Sequence, residues 1–528
     1  MMIARRSYLL VVITCGLLFF WRLGAVPLIG FDEGVYAACA REMLDTGDYI
    51  VPSSNGEPFF DKPPLVCWMQ AAAIGLFGTN SFAARLPSAI AMTLLVGATV
   101  LLGSRIFSRR AGLLSGFVLA CSILGVGLAR IAILDAAFSL SITVSLGAFL
   151  LAFTGKWPRW TYNLVWAAMG LSVMIKGPAG AVLIIVTVGL FVLICRKKYG
   201  EGLPLFRETM PLVGSAIFLL IALPWYVLVS QKTGGSFIRE FIIHHNIQRA
   251  LGQDFQHNLP FYAYIPMFVV SFFPWSLFVP AGVSALRRRG QKDSQTGICG
   301  LFLITWMSVV FVIFSALRSK LPAYIFPMFP PCAIAVGALW EYAGESKEVG
   351  PLQKSSLWAL ITSIAIGIAM LIAASRLHDP IPGLQVALVP MGLALMVGCT
   401  AGYVTLKFNM PKLSFGSFCA GMALFLIIAI KYGLPIAARD EAIPAMKMGA
   451  AMSKHKLPVY AFRLSPPQPQ IGFYAGKDVH QVVDAALLPS DEHLVVAQRD
   501  RMQGLPAGGV ELLRIRDYIL FKYSIRDR

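Results

Sequence analysis

The chain has 528 residues, of which 57% are hydrophobic and only 14% are charged, and its mean hydropathy is +0.69. Soluble domains carry roughly 45–50% apolar and about 25% charged residues, so this composition excludes a soluble enzyme and a disordered protein. The net charge of +18 fits a membrane protein whose cytoplasmic loops accumulate Lys and Arg. No basic segment carries the features of a nucleic-acid reader, so we expect no nucleic-acid partner.

Long apolar segments predict a polytopic α-helical membrane protein with about thirteen transmembrane helices. A span takes roughly 20 apolar residues, and strand-like alternation is absent from these segments. The first segment lacks a small-x-small cleavage site, so we interpret it as an uncleaved span. In chain order the segments lie near 7–29, 81–103, 112–130, 136–155, 161–175, 178–195, 209–230, 262–286, 297–317, 322–342, 356–374, 383–406 and 414–436.

The basic clusters predict the orientation of the chain. With the N-terminus in the cytoplasm, every obvious cluster falls on the cytoplasmic side, as the positive-inside rule requires. Two long loops, about 30–80 and 231–261, then lie on the opposite side together with the tail. The clusters are Arg5/Arg6, Arg105/Arg109/Arg110, Lys156/Arg159, Arg196/Lys197/Lys198, Arg287/Arg288/Arg289/Lys292 and Lys407/Lys412.

The tail differs in character from the rest of the chain. Four short β-prone runs, VYAFRL, IGFYAGK, LVVAQR and VELLRIRDYILFKY, are separated by polar stretches. We therefore predict two domains, a transmembrane domain over 1–436 and a small soluble α/β domain over 437–528 outside the cytoplasm. We expect the tail to help admit a substrate.

The loop at 30–80 holds the first candidate site residues. Asp32 follows the first span directly, and carboxylates at the membrane face often mark a functional site. The alternative is that Asp32 only caps the helix predicted by DEGVYAACAREML. Lys62 lies in the segment Asp61-Lys62-Pro63-Pro64, where the prolines hold it near the bilayer surface. The alternative for Lys62 is that its ammonium reaches out to lipid headgroups.

Other polar residues lie on the same outer side. Asp135 begins a span between apolar residues, where an acid is costly unless it points into the protein interior. Asp32 and Asp135 together resemble an acid/base or cation-holding pair. Lysine and arginine side chains on the outer side, together with a tyrosine hydroxyl, could bind the phosphate of a lipid-linked substrate. The alternative is that each of these side chains separately contacts a lipid headgroup. These outer residues are Lys62, Arg249, Lys320 and Tyr324, with His244 in the same loop as Arg249.

Several motifs together resemble a known family. They are DEGVYAACAREMLDTGDYIVPSSNGEPFFDKPPLVCW, RIAILD, MIKGP, HHNIQR, QHNLPFY, FFPW and SKLPAYIFPMFPP. In order and placement they resemble the bacterial GT-C membrane glycosyltransferases, in particular the ArnT-type aminoarabinose transferases and their protein-mannosyltransferase-like relatives. The resemblance covers about 1–436.

The resemblance implies a GT-C fold with periplasmic juxtamembrane helices, placed in the bacterial inner membrane. It implies inverting transfer of a sugar from undecaprenyl phosphate, at the periplasmic face, to lipid A or a related envelope glycolipid. By the same resemblance, Asp32 and Asp135 are the catalytic acids. The carrier phosphate would be held by Lys62, Arg249, Tyr324 and Lys320, and a structural metal, zinc, by Asp61 and His244.

One departure from the family keeps alternatives open. Aminoarabinose transferases carry an arginine three residues after the first aspartate, whereas this chain has Val35. Transfer to a protein or to another glycan, as in O-mannosyltransferases, is therefore the main alternative. A transporter of lipid-linked sugars is a weaker one, because the polar groups gather on one face and the two halves look unlike. A non-catalytic assembly factor would leave the outer acids and cations unexplained.

Overall fold

The computed structural model describes residues 2–200, 206–241, 243, 259–346, 349–377, 381–465 and 468–524, with side chains from residue 7 onward except at 206, 207 and 346. The helices in these ranges follow the apolar segments of the sequence. Numbered in chain order, they are α1 Met2–Cys15, α2 Gly30–Thr46, α3 Leu65–Phe77, α4 Ser81–Ile106, α5 Arg109–Ala120, α6 Ile123–Ala129, α7 Asp135–Phe153, α8 Tyr162–Lys176, α9 Ala179–Tyr199, α10 Pro211–Lys232, α11 Ser236–Ile238, α12 Tyr264–Ser271, α13 Val279–Lys292, α14 Ser294–Ala316, α15 Phe329–Ser346, α16 Gly350–Arg376, α17 Leu384–Lys407, α18 Pro411–Ile428, α19 Leu434–Ala437, α20 Ala442–Met452 and α21 Pro469–Ala475.

Each of the thirteen predicted spans overlaps a helix or a helix pair. Within the described ranges, nine helices are long and apolar enough to cross a membrane. The predicted spans near 112–130 and 262–286 are pairs bent by 70° and 107°. Those near 7–29 and 161–175 are shorter helices, Ser7–Phe20 and Tyr162–Lys176. The chain is thus a multi-pass helical membrane protein, with two predicted spans broken and two shorter than expected.

The backbone divides into two compact units. One, here called the helical unit, comprises Met1–Trp21, Ala89–Ala129 and Leu134–Gly433. The other, here called the mixed unit, comprises Arg22–Ser88, Arg130–Ile133 and Leu434–Arg528. The outer loop near 30–80 therefore belongs to the same compact unit as the tail, a grouping that a single boundary at 436/437 does not express.

Helix α7 lies at the centre of the helical unit. In its most apolar window 89% of the residues are buried inside the protein, against 22% for α10 and for α16. A helix that is apolar all round and buried on every side needs protein neighbours rather than lipid. The ring of Phe149 on α7 packs against Phe191 on α9 and Phe302 on α14, and the distances between ring centroids are 6.2 and 5.8 Å respectively. The helix that carries Asp135 is thus held in a protein interior.

The tail part of the mixed unit is a five-stranded mixed sheet with helices, as the sequence predicts. Its strand order is β4-β3-β5-β7-β6, in which β3 pairs in parallel with β4 and β5, and β7 pairs antiparallel with β5 and β6. The strands are β3 Val459–Phe462, β4 Val479–Val482, β5 His493–Gln498, β6 Val510–Ile515 and β7 Tyr518–Tyr523, and a hairpin of β1 Ser53–Ser54 and β2 Glu57–Pro58 lies in the loop.

One β-prone run of the tail is helical instead. The sequence predicts a strand over IGFYAGK, but these residues lie mostly in α21. Pro469 stands at the helix start, where its fixed φ favours a first turn. Gly476 ends the helix in the left-handed region with φ 64°. The apolar residues between them are buried, and tertiary packing outweighs their β propensity.

Candidate active site

Asp32 lies in the first turn of α2 and its side chain is exposed. The sequence predicts this helix, and the structure shows which carboxylate accepts a hydrogen bond at its N-terminus. The backbone N–H of Ile29, the residue before the helix, donates to Glu33 Oε2 at 2.7 Å, which satisfies this N–H from within the first turns. Glu33, the neighbour of Asp32, thus fixes the helix start and leaves Asp32 facing outward.

Glu33 also forms a buried ion pair with Arg85, here called the Glu33–Arg85 clamp, which sequence analysis missed. Arg85 Nε and Nη2 donate to the two Glu33 oxygens at 2.8 and 2.7 Å, and both side chains are buried. The backbone N–H of Ala132 donates to Glu33 Oε1 at 2.7 Å. The remaining Arg85 donors bind the carbonyls of Leu23, Val26 and Pro27. This pair ties α2 to α4 and to the 130–133 joint, and so positions the turn that carries Asp32.

Asp61 and Lys62 form a half-buried ion pair. Lys62 Nζ lies 2.7 Å from Asp61 Oδ1 and also donates to the Asp61 carbonyl at 2.9 Å. After the two prolines the chain enters α3, so Lys62 is held at the start of a helix. The pair keeps the ammonium in one place while leaving it partly exposed.

The predicted metal site is only partly within the described residues. His244 and Arg249 lie outside them, and Asp61 is engaged by Lys62. Where side chains are described, no group of three or more His, Cys, Asp or Glu residues is arranged to hold a metal. A structural zinc takes four ligands, so the described residues alone do not fit that ion, and we assign it no step.

Asp135 and Lys176 form a buried ion pair at the ends of two adjacent helices. Asp135 starts α7 and Lys176 ends α8, where Gly177, with φ 78°, and Pro178 stop the helix. Their Oδ1 and Nζ atoms are 2.6 Å apart. An acid at a helix N-terminus and a base at a helix C-terminus are each favoured by the helix dipole.

Tyr324 completes this cluster. Lys176 Nζ lies 4.7 Å from the centre of the Tyr324 ring and 5.1 Å from that of Phe138. The structure therefore brings together two residues that the sequence singled out, Asp135 and Tyr324, through one to which it gave no role. Lys176 stands in the quoted motif MIKGP, on the predicted outer side, so its charge was a usable signal.

Lys320 is buried in the short joint between α14 and the turn of 3₁₀-helix Pro322–Met328. Its ammonium donates to the Leu317 carbonyl and lies 5.8 Å from the centre of the Tyr264 ring. The Tyr264 hydroxyl donates to the Leu321 carbonyl at 3.3 Å, which fixes the ring. Burial lowers the pKa of Lys320, because the interior disfavours its charged form.

The two units hold different parts of the chemistry. The helical unit contains Asp135, Lys176, Tyr324 and Lys320, which offer a negative oxygen, two positive nitrogens and a phenol. The mixed unit contains Asp32 and the Asp61–Lys62 pair. The pairing of Asp32 with Asp135 across a common site stays a prediction. Each unit thus contains at least one carboxylate and one ammonium, which are group types that can move a proton and bind a phosphate.

Comparisons with known proteins find relatives that are named as glycosyltransferases. The family model of dolichyl-phosphate-mannose-protein mannosyltransferases matches residues 61–227. An Aeromonas salmonicida protein named undecaprenyl phosphate-alpha-4-amino-4-deoxy-L-arabinose arabinosyl transferase is 27% identical over 425 residues, which cover 79% of this chain and 75% of the relative. An uncharacterised Aquifex aeolicus protein is 31% identical over 369 residues, covering 69% of this chain and 70% of the relative.

A solved structure matches almost the whole chain. The crystal structure of ArnT from Cupriavidus metallidurans bound to undecaprenyl phosphate gives a TM-score of 0.83 at 23% identity, covering 98% of this chain and 97% of that one. The fold is therefore that of ArnT, a GT-C fold, as the sequence predicts. Taken with the sequence relatives, it shows that the chain belongs to the ArnT-type family of GT-C membrane glycosyltransferases.

Proposed function

We propose that this protein is an inverting glycosyltransferase that moves a sugar from undecaprenyl phosphate to lipid A or a related envelope glycolipid. It works in the bacterial inner membrane with its active site facing the periplasm. The names of the arabinosyl transferase relatives and the undecaprenyl phosphate in the ArnT crystal structure support the donor, and the acceptor follows from the family resemblance. The positive-inside pattern supports the orientation, because it puts Asp135 and Lys176 opposite the basic loops.

The buried cluster of Asp135, Lys176 and Tyr324 is the observation that carries this proposal. Burying an ion pair is expensive, and replacing such a pair with apolar residues often costs no stability. Its presence at the end of a helix with 89% of its apolar window buried is better explained by chemistry than by folding. A carboxylate and an ammonium side by side match a transition state in which positive charge grows on a sugar and negative charge on a phosphate.

The reaction is a single displacement. An acceptor oxygen forms a bond to the anomeric carbon while the bond from that carbon to the carrier phosphate oxygen breaks. The bonding electrons stay with the phosphate, so undecaprenyl phosphate leaves and the configuration inverts. Asp135 faces the oxocarbenium-like sugar in this scheme. Each well-placed donor to the departing phosphate is worth about 3–4 kcal/mol at most.

The other residues divide into phosphate ligands and a base. Lys62, Lys320 and Tyr324 supply donors to the departing phosphate, as does Arg249 by family resemblance. A hydroxyl acceptor must lose a proton during attack, and Asp32 accepts it. A phosphate acceptor is already anionic and needs no base. Asp32 then orients the acceptor or the donor sugar.

A second candidate acceptor is a protein or another glycan. Val35, at the position of the family arginine, is only 3% exposed within α2. A buried valine offers no cation to an anionic acceptor such as a lipid A phosphate. The match of residues 61–227 to the protein-mannosyltransferase model points the same way.

Mass spectrometry of envelope lipids, glycans and proteins tests both candidates. Cells with the wild-type protein, with no protein, with Asp32→Asn or with the control Asp45→Asn are compared. Asp45 is an exposed residue of the same helix. A sugar-sized mass increase on lipid A that needs Asp32 but not Asp45 supports the first proposal. The same increase on a protein or another glycan supports the second. Accumulation of the sugar-linked carrier on the inner leaflet, with no product, contradicts both.

A further inference from the structure

The helical unit contains a large groove that is not lined by Asp135, Lys176 or Tyr324. It has a volume of about 850 Å³ and is lined by residues of α12, α13, α15 and α16. It lies at the 107° bend between the helices Phe261–Ser271 and Trp275–Lys292. Ser276 Oγ donates to the Val269 carbonyl at 2.9 Å, which gives this backbone carbonyl a hydrogen-bond partner at the bend. Such a volume is typical of sites for small molecules and lipids.

The groove is apolar along its length and basic at one end. Phe268, Leu339 and Trp358 line the apolar part. Arg288, in the last turns of α13, and Lys354, near the start of α16, line the other end. Helix ends alternate across the membrane, so these two cations lie on the same side as the other basic loops, which is the cytoplasmic side.

The two cations are available to a ligand. Arg289, the next residue after Arg288, is engaged by Glu341 and Glu345, at 3.8 and 3.6 Å. Within 259–346 and 349–377, by contrast, neither Arg288 nor Lys354 has an acidic partner, and both are exposed. An apolar groove lined by two exposed cations is complementary to an anionic lipid.

We propose that this groove binds an anionic glycerophospholipid of the cytoplasmic leaflet. The lipid phosphate lies between Arg288 and Lys354, and an acyl chain runs past Leu339 towards Trp358. Basic pockets between transmembrane helices on the cytoplasmic side are known sites for such headgroups. The choice of leaflet rests on the proposed orientation, but the binding does not depend on the proposed sugar transfer.

Lipid-dependent thermal unfolding of the full-length protein tests the headgroup contact. We expect phosphatidylglycerol to raise the melting temperature by several degrees more than phosphatidylcholine does. Arg288→Gln with Lys354→Gln should remove at least half of that difference. The matched control is Arg287→Gln with Lys412→Gln, which removes two exposed charges from the same predicted side outside the groove. Equal losses in both variants, or equal stabilisation by the two lipids, would overturn the proposal.

Fluorescence quenching tests the acyl-chain contact and does not rely on the charge variants. Phosphatidylglycerol with brominated chains should quench wild-type tryptophan emission more than that of Trp358→Phe, because bromine quenches only nearby indoles. No difference between the two proteins contradicts the proposal. Loss of the Trp358 quenching on adding undecaprenyl phosphate also contradicts it, since the groove would then hold the carrier chain.

Discussion

The ammonium of Lys176 lies 2.6 Å from the carboxylate of Asp135, and both side chains are about nine-tenths buried. The contact joins the C-terminal end of α8 to the N-terminal end of α7. Each charge is held by its own helix end as well as by its partner. The two charges are therefore already together without a bound substrate, and a preorganised charge need not be reoriented during the reaction.

Removing one member of the pair should harm both folding and transfer. For Lys176→Met we expect at least a hundredfold loss of transfer rate and a loss of about 3–5 kcal/mol in the free energy of unfolding, because Asp135 stays buried without a partner. The double variant Asp135→Asn with Lys176→Met should regain most of the stability but none of the activity. Thermal unfolding and a transfer assay on the same samples measure both. An active double variant would show that the pair is only structural.

Sequence patterns predicted the spans well because lipid leaves few choices for an apolar segment. They placed Lys176 at the break between two predicted spans but gave it no role, because its partner Asp135 lies 41 residues earlier in the chain. Arg85 was missed although it lies inside a predicted span, where an arginine needs a partner. Its partner Glu33 is 52 residues away in the chain. No local sequence pattern indicates a contact between two residues so far apart in the chain.

The Glu33–Arg85 clamp should be essential to the mixed unit. Glu33→Gln leaves Arg85 buried without its counter-charge, so we expect a loss of about 3–5 kcal/mol in the free energy of unfolding. Glu57→Gln, at an exposed glutamate of the same unit, is the control and should cost nothing measurable. Hydrogen exchange of α2 distinguishes the two. Unchanged exchange in Glu33→Gln would mean that the clamp does not hold the helix.

The lowered pKa of Lys320 predicts how the stability of the protein depends on pH. Burial lowers its pKa, so the folded protein binds this proton more weakly than the unfolded chain does. The burial cost is therefore fully present below the folded pKa, falls as the pH rises above that value, and is gone above the ordinary lysine pKa of the unfolded chain. Lys320→Met should melt at a higher temperature than wild type at neutral pH, yet bind the carrier more weakly. Melting curves and carrier affinity at neutral pH test this prediction.

The same lysine should limit activity at alkaline pH. An arginine stays protonated throughout the usable range, so Lys320→Arg should keep a transfer rate at high pH that wild type loses. Lys412→Arg, at an exposed lysine, is the control and should leave the pH profile unchanged. An identical alkaline decline in wild type and Lys320→Arg would show that another group controls it.

The tail should be needed for the helix that carries Asp32. Arg41 in α2 donates to the Gly472 carbonyl at 3.1 Å and pairs with Asp478 at 2.7 Å. The Tyr474 hydroxyl accepts from the Leu28 N–H at 2.9 Å. A chain ending at residue 437 loses these contacts, so we expect α2 to lose its protection in hydrogen exchange. Normal transfer by that chain would refute a structural role for the tail.

A substitution at Gly34 tests the contact between α2 and α21 without removing the tail. A Cβ at Gly34 would lie 2.8 Å from the backbone nitrogen of Gln470, so Gly34→Ala must push α2 and α21 apart. Overpacking of this kind costs about 1–3 kcal/mol. Gly97→Ala is the control, because nothing lies within 4 Å of its Cβ and alanine is the better helix former. We expect Gly34→Ala to lower the transfer rate at least tenfold by moving Asp32, two residues away, whereas Gly97→Ala keeps it. Equal activity in the two variants would mean that the catalytic position of Asp32 does not depend on α21.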